Sequence, residues 1–174
     1  RAVLIGLVGR GITSSRSPVM HQREGERLGM RYTYALVDFD AVGLGDDALG
    51  EVLTMAEGAG FAGVNVTHPF KQAVIHHLTD LAPDAAAIGA VNTVVFAEGR
   101  RIGHNTDSWG FAESFRLAMA GSSLSSVALF GAGGGGAAVA HALVQLGVER
   151  LDICVTGPAR ASTLTGPAST TSRR

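Results

Sequence analysis

The chain has 174 residues, of which 46% are hydrophobic and 17% charged, and its 14 basic and 15 acidic residues leave a formal net charge of −1. This composition supports a buried core in one or two domains, excludes a chain that is disordered throughout, and makes nucleic acid an improbable partner. A single cysteine, Cys154, excludes an internal disulfide and a cysteine-based zinc site, and the expected location is the cytoplasm. No run of apolar residues is long enough for a membrane span.

The first two thirds of the chain alternate between strand and helix patterns. Strands are predicted where short apolar or β-branched runs end in turn-forming residues, at 3–9, 32–38, 61–67 and 90–96. Helices are predicted where helix formers follow a proline or where apolar residues recur at helical spacing, at 19–28, 45–59, 70–80 and 85–88. The alternation predicts an α/β fold whose mostly parallel sheet is flanked by helices.

A second set of elements begins after residue 103. A turn-forming Asn-Thr-Asp cluster ends at Asp107, and an amphipathic helix that could bridge two domains follows at 109–119. A strand, an alanine-rich helix and another strand are then predicted at 127–130, 137–146 and 150–155. Residues 156–174 are mostly Ser, Thr, Gly, Pro, Ala and Arg, which predicts a disordered tail.

Glycine is in excess, with 24 residues, about double the usual share of ~7%. A G-x-G-x-x-G motif stands between the strand and the helix of the second set, with its glycines at 131, 133 and 136. Such glycines permit a tight turn, close approach of a pyrophosphate and packing of helix on strand, and the helix N-terminus faces the anion. The motif predicts a dinucleotide site at Gly131, Ala132, Gly133, Gly134, Gly135 and Gly136. A merely flexible loop is the alternative.

The choice of nucleotide stays open. An NAD site places an acidic residue at the end of the strand after the helix, whereas an NADP site places an arginine nearby. Asp152 opens that strand rather than ending it, and the end itself, residues 155–157, has no carboxylate. Arg160 is the only nearby cation. The cofactor is therefore predicted as NADP or NAD.

Polar side chains also follow two of the predicted strands in the first set. Lys71 closes the run Asn-Val-Thr-His-Pro-Phe-Lys after the third strand, where α/β folds tend to bind ligands. A lysine there can donate to a substrate hydroxyl, and Asp107 could hold the same hydroxyl and share its proton. Ser15 and Ser17 offer two hydroxyls to a polyol or a carboxylate. Taken singly, these residues are more often solvated, turn-forming or capping.

Other catalytic classes lack their motifs. His76 and His77 are adjacent, so on a helix they point in different directions and make a poor metal pair. The chain contains no His-Glu-x-x-His, Cys-x-x-Cys or Gly-x-Ser-x-Gly sequence. No metal site is predicted.

Five motifs follow one another in an order that is typical of one family. They are Ser15-x-Ser17-Pro18, the run from Gly63 to Lys71, Gly89-Ala90-Val91-Asn92-Thr93, Asn105-Thr106-Asp107 with Gly110, and Gly131-Ala132-Gly133-Gly134. Together they are far more specific than any one of them. From residue 3 to about residue 155, the chain resembles the shikimate dehydrogenase family, in particular its shikimate/quinate dehydrogenase branch.

The resemblance implies an NAD(P)-dependent oxidoreductase of the chorismate pathway that interconverts 3-dehydroshikimate and shikimate, or dehydroquinate and quinate. It implies that Ser15 and Ser17 bind the substrate carboxylate, and that Lys71 with Asp107 forms the catalytic pair. The ring hydroxyls are assigned to Thr67, Asn92 and Asp107. A small-molecule substrate is thus the expected partner, without nucleic acid or membrane, and a homodimer is an open alternative.

The same resemblance assigns the domains. A substrate domain is expected at 1–108, a connecting helix and linker at 109–123, and part of a Rossmann-like NAD(P)-binding domain at 124–155, before the tail at 156–174. Family members are much longer, and only two of the about six strands of a complete Rossmann domain precede the tail, which suggests a truncated or frame-shifted product.

Two other functions stay open at this stage. One is a non-catalytic remnant that binds shikimate-like ligands, and the other is a different two-domain Rossmann enzyme, similar to methylenetetrahydrofolate dehydrogenase. The Ser-x-Ser-Pro and Asn-Thr-Asp motifs argue against the latter.

Overall fold

The computed structural model describes residues 2–155. These residues form two compact units. The first contains the described residues up to Ala85 together with Val91–His104, and the second contains Ala86–Ala90 and the described residues from Asn105 onwards. The tail at 156–174, predicted to be disordered, and Arg160 lie outside the described residues.

A six-stranded sheet forms the centre of the first unit. Its strands are β1 Ala2–Gly9, β2 Arg31–Asp38, β3 Gly63–Val66, β4 Asp80–Leu81, β5 Thr93–Ala97 and β6 Arg100–His104. The helices in this part of the chain are α1 Ser17–Arg27, α2 Phe39–Val42, α3 Leu49–Gly58 and α4 Pro83–Ile88, with 3₁₀ turns at Asp46–Ala48 and Ala73–His77.

The strand order is β2-β1-β3-β5-β6-β4. Strand β1 lies parallel to both β2 and β3, and β4 lies parallel to β6. Strand β5 is antiparallel to β3. It is also antiparallel to β6, because a tight turn at Glu98 and Gly99 joins β5 directly to β6. The predicted α/β fold with a mostly parallel sheet flanked by helices is confirmed.

Local patterns account for most of these elements. Pro18 in the first turn of α1 has no N–H to lose there and its φ suits a helix start. The helical spacing predicted over 45–59 buries one face of α3, with Leu49, Val52, Leu53 and Ala56 in the core. The apolar strands β1, β3 and β5 run through the same core, as parallel and central strands do.

The helix predicted over residues 70–80 is wrong in type and length. The chain forms only a 3₁₀ turn at Ala73–His77 and then the short strand β4. Thr79 N donates to Arg101 O at 2.9 Å, and Ala82 N donates to Gly103 O at 2.8 Å. These strand-type hydrogen bonds to β6 take the backbone groups that a longer helix would need.

The second unit contains a β–α–β arrangement. Its elements are α5 Asp107–Ala118, β7 Val127–Phe130, α6 Gly134–Gln145 and β8 Leu151–Cys154. Strands β7 and β8 are parallel, and α6 packs on them through a small core that includes Ala140, Leu143 and Leu151. No helix within residues 2–155 has the length and apolar character needed to cross a membrane.

Candidate functional site

Five of the residues predicted to bind substrate lie along one edge of the first unit's sheet. Ser15 and Ser17 follow β1, and Thr67 and Lys71 follow β3, so the parallel pairing of β1 with β3 brings both loops to the carboxyl ends of these strands. Asn92 immediately precedes β5. Because β5 is antiparallel to β3, its beginning meets the end of β3, and Val66 N donates to Asn92 O at 2.8 Å.

The backbone around Thr67 and Lys71 is anchored to its neighbours. Thr67 N donates to Val8 O at 3.0 Å, and Phe70 N donates back to Thr67 O at 2.8 Å. Lys71 O accepts a hydrogen bond from Val91 N at 2.7 Å. The Phe70 ring is buried and its centroid lies 4.5 Å from that of Phe39. The half-buried Lys71 side chain therefore extends from a segment fixed by the core on one side and by backbone pairing on the other.

A chain of hydrogen bonds crosses the sheet just inside this edge. The Tyr34 hydroxyl donates to Asn65 Oδ1 at 2.9 Å, and Asn65 Nδ2 donates to Thr93 Oγ1 at 3.0 Å. Thr93 Oγ1 in turn donates to Asn92 Oδ1 at 3.0 Å. The network joins β2, β3 and β5 and holds the Asn92 amide in one orientation.

Sequence reasoning did not select Tyr34 and Asn65 as site residues. Burial raises the pKa of Tyr34 to about 12, outweighing a hydrogen bond with the Ser17 side chain that acts in the opposite direction. The phenol therefore stays a hydrogen-bond donor at neutral pH. The sequence carried one signal for Tyr34. It lies at a core-facing position of a predicted strand, and a buried tyrosine hydroxyl needs a polar partner.

The stacked ring of His21 lies 4.7 Å from that of Tyr34, centroid to centroid. Burial lowers the pKa of His21, which favours the neutral imidazole. The phenol thus has an uncharged aromatic neighbour on α1.

Asp107 belongs to the second unit, whereas Lys71 belongs to the first. Asp107 is the first residue of α5, and its N–H donates to Asn105 Oδ1 at 3.0 Å. The buried Asn105 side chain also donates to Ala90 O at 2.9 Å, which fixes the turn. The Asn-Thr-Asp cluster is therefore a helix-initiating turn, and the pairing of Asp107 with Lys71 stays a prediction.

The glycine run has the geometry that a diphosphate-binding turn requires. Gly131 has a φ of +105°, a conformation open to glycine and strained for other residues. Helix α6 begins at Gly134, three residues before the predicted Ala137, and its first helical hydrogen bond runs from Ala137 N to Gly133 O at 2.9 Å. The preceding amides have no intrahelical acceptor, so they can bind an anion.

The glycines of the loop differ in how much space an added Cβ would have. A Cβ on Gly136 would overlap the carbonyl oxygen of Gly131, so this position requires glycine for close packing of helix on loop. A Cβ on Gly133 or Gly135 would meet no protein atom within 4 Å. The loop from Gly131 to Gly136 therefore fits the diphosphate of a dinucleotide, with open space beside Gly133.

We expect the Gly136→Ala substitution to lower the free energy of unfolding of the second unit by about 1–3 kcal/mol, because the added methyl forces the Gly131 carbonyl to move. Circular dichroism during urea unfolding measures the change. Gly135→Ala is the matched control, since its methyl enters open space and alanine favours helix. Equal destabilisation by both substitutions would contradict the packing role assigned to Gly136.

The comparisons with known proteins converge on one group. A model of the shikimate dehydrogenase substrate binding domain matches residues 7–94. The shikimate dehydrogenase (NADP(+)) of Streptomyces avermitilis is 52% identical over 161 residues, which cover 92% of this chain and 55% of that protein. The quinate/shikimate dehydrogenase (NAD(+)) of Corynebacterium efficiens is 43% identical over 164 residues, 94% of this chain and 58% of that protein.

Solved structures show the same similarity. Quinate dehydrogenase from Corynebacterium glutamicum in complex with NAD matches with a TM-score of 0.83 and 42% identity, over 94% of this chain and 58% of that one. Shikimate 5-dehydrogenase from Thermus thermophilus in complex with NADP(H) and shikimate matches with a TM-score of 0.80 and 36% identity, over 93% of this chain and 59% of that one. The chain thus spans somewhat more than half the length of these relatives.

Proposed function

The chain belongs to the shikimate dehydrogenase family, and on that basis we propose that it supplies the substrate domain and the first part of the NAD(P)-binding domain of a shikimate/quinate dehydrogenase. The single observation that carries this proposal is the grouping of Ser15, Ser17, Thr67, Lys71 and Asn92 at one sheet edge. All five lie within the segment that matches the substrate binding domain of the family.

The proposed substrate is a small polyhydroxylated ring acid. The hydroxyls of Ser15 and Ser17 would donate hydrogen bonds to its carboxylate. Thr67, Asn92 and Asp107 would bind the ring hydroxyls. Neutral donors and one carboxylate acceptor suit hydroxyl groups, which both donate and accept hydrogen bonds.

The proposed reaction oxidises a secondary alcohol of the ring to a ketone, and in the reverse direction it reduces the ketone to the alcohol. When bound, NAD(P)⁺ provides the hydride acceptor for the carbon that bears the reacting oxygen. As the C–H bond breaks, the hydroxyl proton would pass to the neutral amine of Lys71, which becomes the ammonium, and the carbon–oxygen double bond would form. Asp107 would hold the same hydroxyl and favour the proton transfer. In the reverse direction, the Lys71 ammonium would return the proton to the oxygen.

The proposed cofactor is NADP or NAD, held at its diphosphate by Gly131, Ala132, Gly133, Gly134, Gly135 and Gly136. The positive φ at Gly131 and the space beside Gly133 support this placement. Relatives named for either nucleotide match the chain, so both stay candidates. A cytoplasmic location is a further part of the proposal and rests on the lone, exposed Cys154. A homodimer stays an open alternative.

Titration calorimetry with shikimate and quinate, together with the absorbance of reduced nicotinamide, tests the proposal. Binding of either acid with reduction of NAD⁺ or NADP⁺ is the expected result. Binding of shikimate without cofactor binding would instead support the non-catalytic alternative, and binding of neither ligand would reject the assignment. The double substitution Ser15→Ala, Ser17→Ala provides the control, since it should weaken binding of the carboxylate.

A further inference from the structure

Asp38 is a buried carboxylate that no motif singles out. It ends β2, where it pairs in register with Gly9 at the end of β1, and its side chain is 4% exposed. An ionised carboxylate in such a place is costly unless charges or hydrogen bonds compensate it. The compensation comes from the backbone of the loop between β1 and α1.

Four backbone N–H groups donate to this one carboxylate. Oδ1 accepts from Gly11 at 2.9 Å and from Asp40 at 3.1 Å. Oδ2 accepts from Ile12 at 2.7 Å and from Thr13 at 3.1 Å. Three of the four donors are consecutive residues of the loop, so a single side chain fixes three successive peptide groups. A carboxylate has about four acceptor positions, and these bonds use them.

The charge state of Asp38 agrees with this geometry. Burial raises the pKa of the carboxyl, but the hydrogen bonds from Ile12, Asp40, Gly11 and Thr13 together outweigh burial and leave the pKa below its usual value. The side chain is therefore ionised at neutral pH, and it accepts from all four amides as a charged group.

The fixed peptides lead directly to the two serines assigned to the substrate carboxylate. Ser15 N donates to Ile12 O at 2.9 Å, and Ser17 N donates to Ser15 Oγ at 3.2 Å. Ile12 itself is buried against Leu7 and Tyr34. The positions of Ser15 and Ser17 thus follow from the position of the Ile12 peptide, which Asp38 holds.

Arg10, the first residue after β1, provides a second tether for the loop. Its guanidinium lies 2.6 Å from Asp40 Oδ1, donates to Leu44 O at 2.7 Å and stacks over the Phe39 ring. Asp46 also forms an ion pair with Arg10, with its Oδ1 2.6 Å from the guanidinium. The carboxylates of Asp40 and Asp46 are exposed, and ion pairs of that kind contribute little. Asp38 is the buried tether that acts on the backbone.

We propose that Asp38 is a positioning residue that sets the conformation of residues 11–17 and thereby places the hydroxyls of Ser15 and Ser17 for a substrate carboxylate. This inference rests on the proposed function. The physical gain is preorganisation, because a loop already in its binding conformation loses less entropy when the ligand binds.

Calorimetric titration of Asp38→Asn with shikimate and with its methyl ester tests the role. Asparagine keeps the size of the side chain but replaces one acceptor oxygen by an NH₂ group that faces backbone donors. We expect the dissociation constant for shikimate to rise about tenfold or more. For the methyl ester, which lacks the carboxylate charge, we expect a change of less than about threefold. Asp47→Asn, at an exposed carboxylate, is the charge-matched control.

Each outcome is decisive. Unchanged affinity for shikimate in Asp38→Asn, or equal loss for acid and ester, would overturn the positioning role. Wild-type protein that binds neither ligand would count against the proposed function instead. Hydrogen exchange of the wild-type protein addresses the loop directly and needs no variant to fold. The amides of Gly11, Ile12 and Thr13 should be protected, and exchange at the rate of free peptides would refute the inference.

Discussion

Replacing Lys71 by methionine is expected to lower kcat by about 10²- to 10⁴-fold, the usual contribution of a general acid–base group. Methionine retains most of the aliphatic stem but has no amine to exchange a proton with the reacting oxygen. Since the Lys71 backbone is held by Val91 N, the substitution should leave the sheet edge intact. Initial rates with shikimate or quinate give kcat, and calorimetry gives the dissociation constant. The dissociation constant should rise by less than about tenfold, because Lys71 is only one of several residues proposed to contact the substrate.

Two further variants distinguish the loss of proton transfer from the loss of positive charge and from a general disturbance of the sheet edge. Lys71→Arg keeps the positive charge, but a guanidinium does not give up its proton, so turnover should stay low. Gln72→Met, at the exposed neighbouring position, should turn over like the wild type. If Lys71→Met retained kcat within about threefold, Lys71 would not be the general acid–base group.

The Phe70→Ala substitution should lower the free energy of unfolding of the first unit by about 3–5 kcal/mol, a large share of the stability of a typical domain. Phe70 is 1% exposed and its ring stacks at a tilt against the fully buried Phe39. Removing the ring leaves a cavity among residues that pack on several strands. Urea unfolding followed by circular dichroism measures the loss.

The same substitution at an exposed position is the control for this experiment. Phe130 is 80% exposed on β7, and Phe130→Ala should change the free energy of unfolding by less than about 0.5 kcal/mol. Because Phe70 immediately precedes Lys71, the destabilised variant should also bind shikimate more weakly. Comparable stability of the two variants would show that the Phe39–Phe70 contact is not a main support of the core.

The glycine loop could be predicted from the sequence because all its requirements are local. A turn at Gly131, a helix start and close packing at Gly136 depend on residues within six positions of one another. The first residue of helix α6 was the one feature of this loop that the sequence predicted wrongly. Alanine content suggested a start at Ala137, whereas the glycines themselves form the first turn of α6, because packing on the strands outweighs the low helix propensity of glycine.

The proximity of the residues proposed to bind substrate depended on information that local patterns do not carry. Sequence motifs identified Ser15, Thr67, Lys71 and Asn92 separately, but their proximity follows from the order of the strands and the antiparallel direction of β5. Likewise, Tyr34 and Asn65 are 31 positions apart, and their hydrogen bond requires the full register of β1 with its two neighbours. Register is a tertiary property.

The role of Asp38 could not be predicted from local sequence patterns either. An aspartate at the end of a strand is typical of any turn, so the sequence offered no reason to select it. Its role depends on three amides that lie 25 to 27 positions away along the chain. The helix expected over 70–80 failed for a related reason, since pairing with β6 outweighed local propensity.

The sequence of the β5–β6 hairpin is constrained at its open end and much less constrained at its turn. Its two open ends are joined at the sheet edge that carries Thr67 and Asn92, where Asn92 N donates to His104 O at 3.0 Å. Its turn at Glu98 and Gly99 lies a whole five-residue strand from that edge, a distance of about 17 Å. Extra residue pairs at the turn would lengthen both strands equally and keep the register at Asn92. The turn is therefore a position where related proteins can differ in length, and where a spectroscopic label can be attached without disturbing the residues proposed to bind substrate.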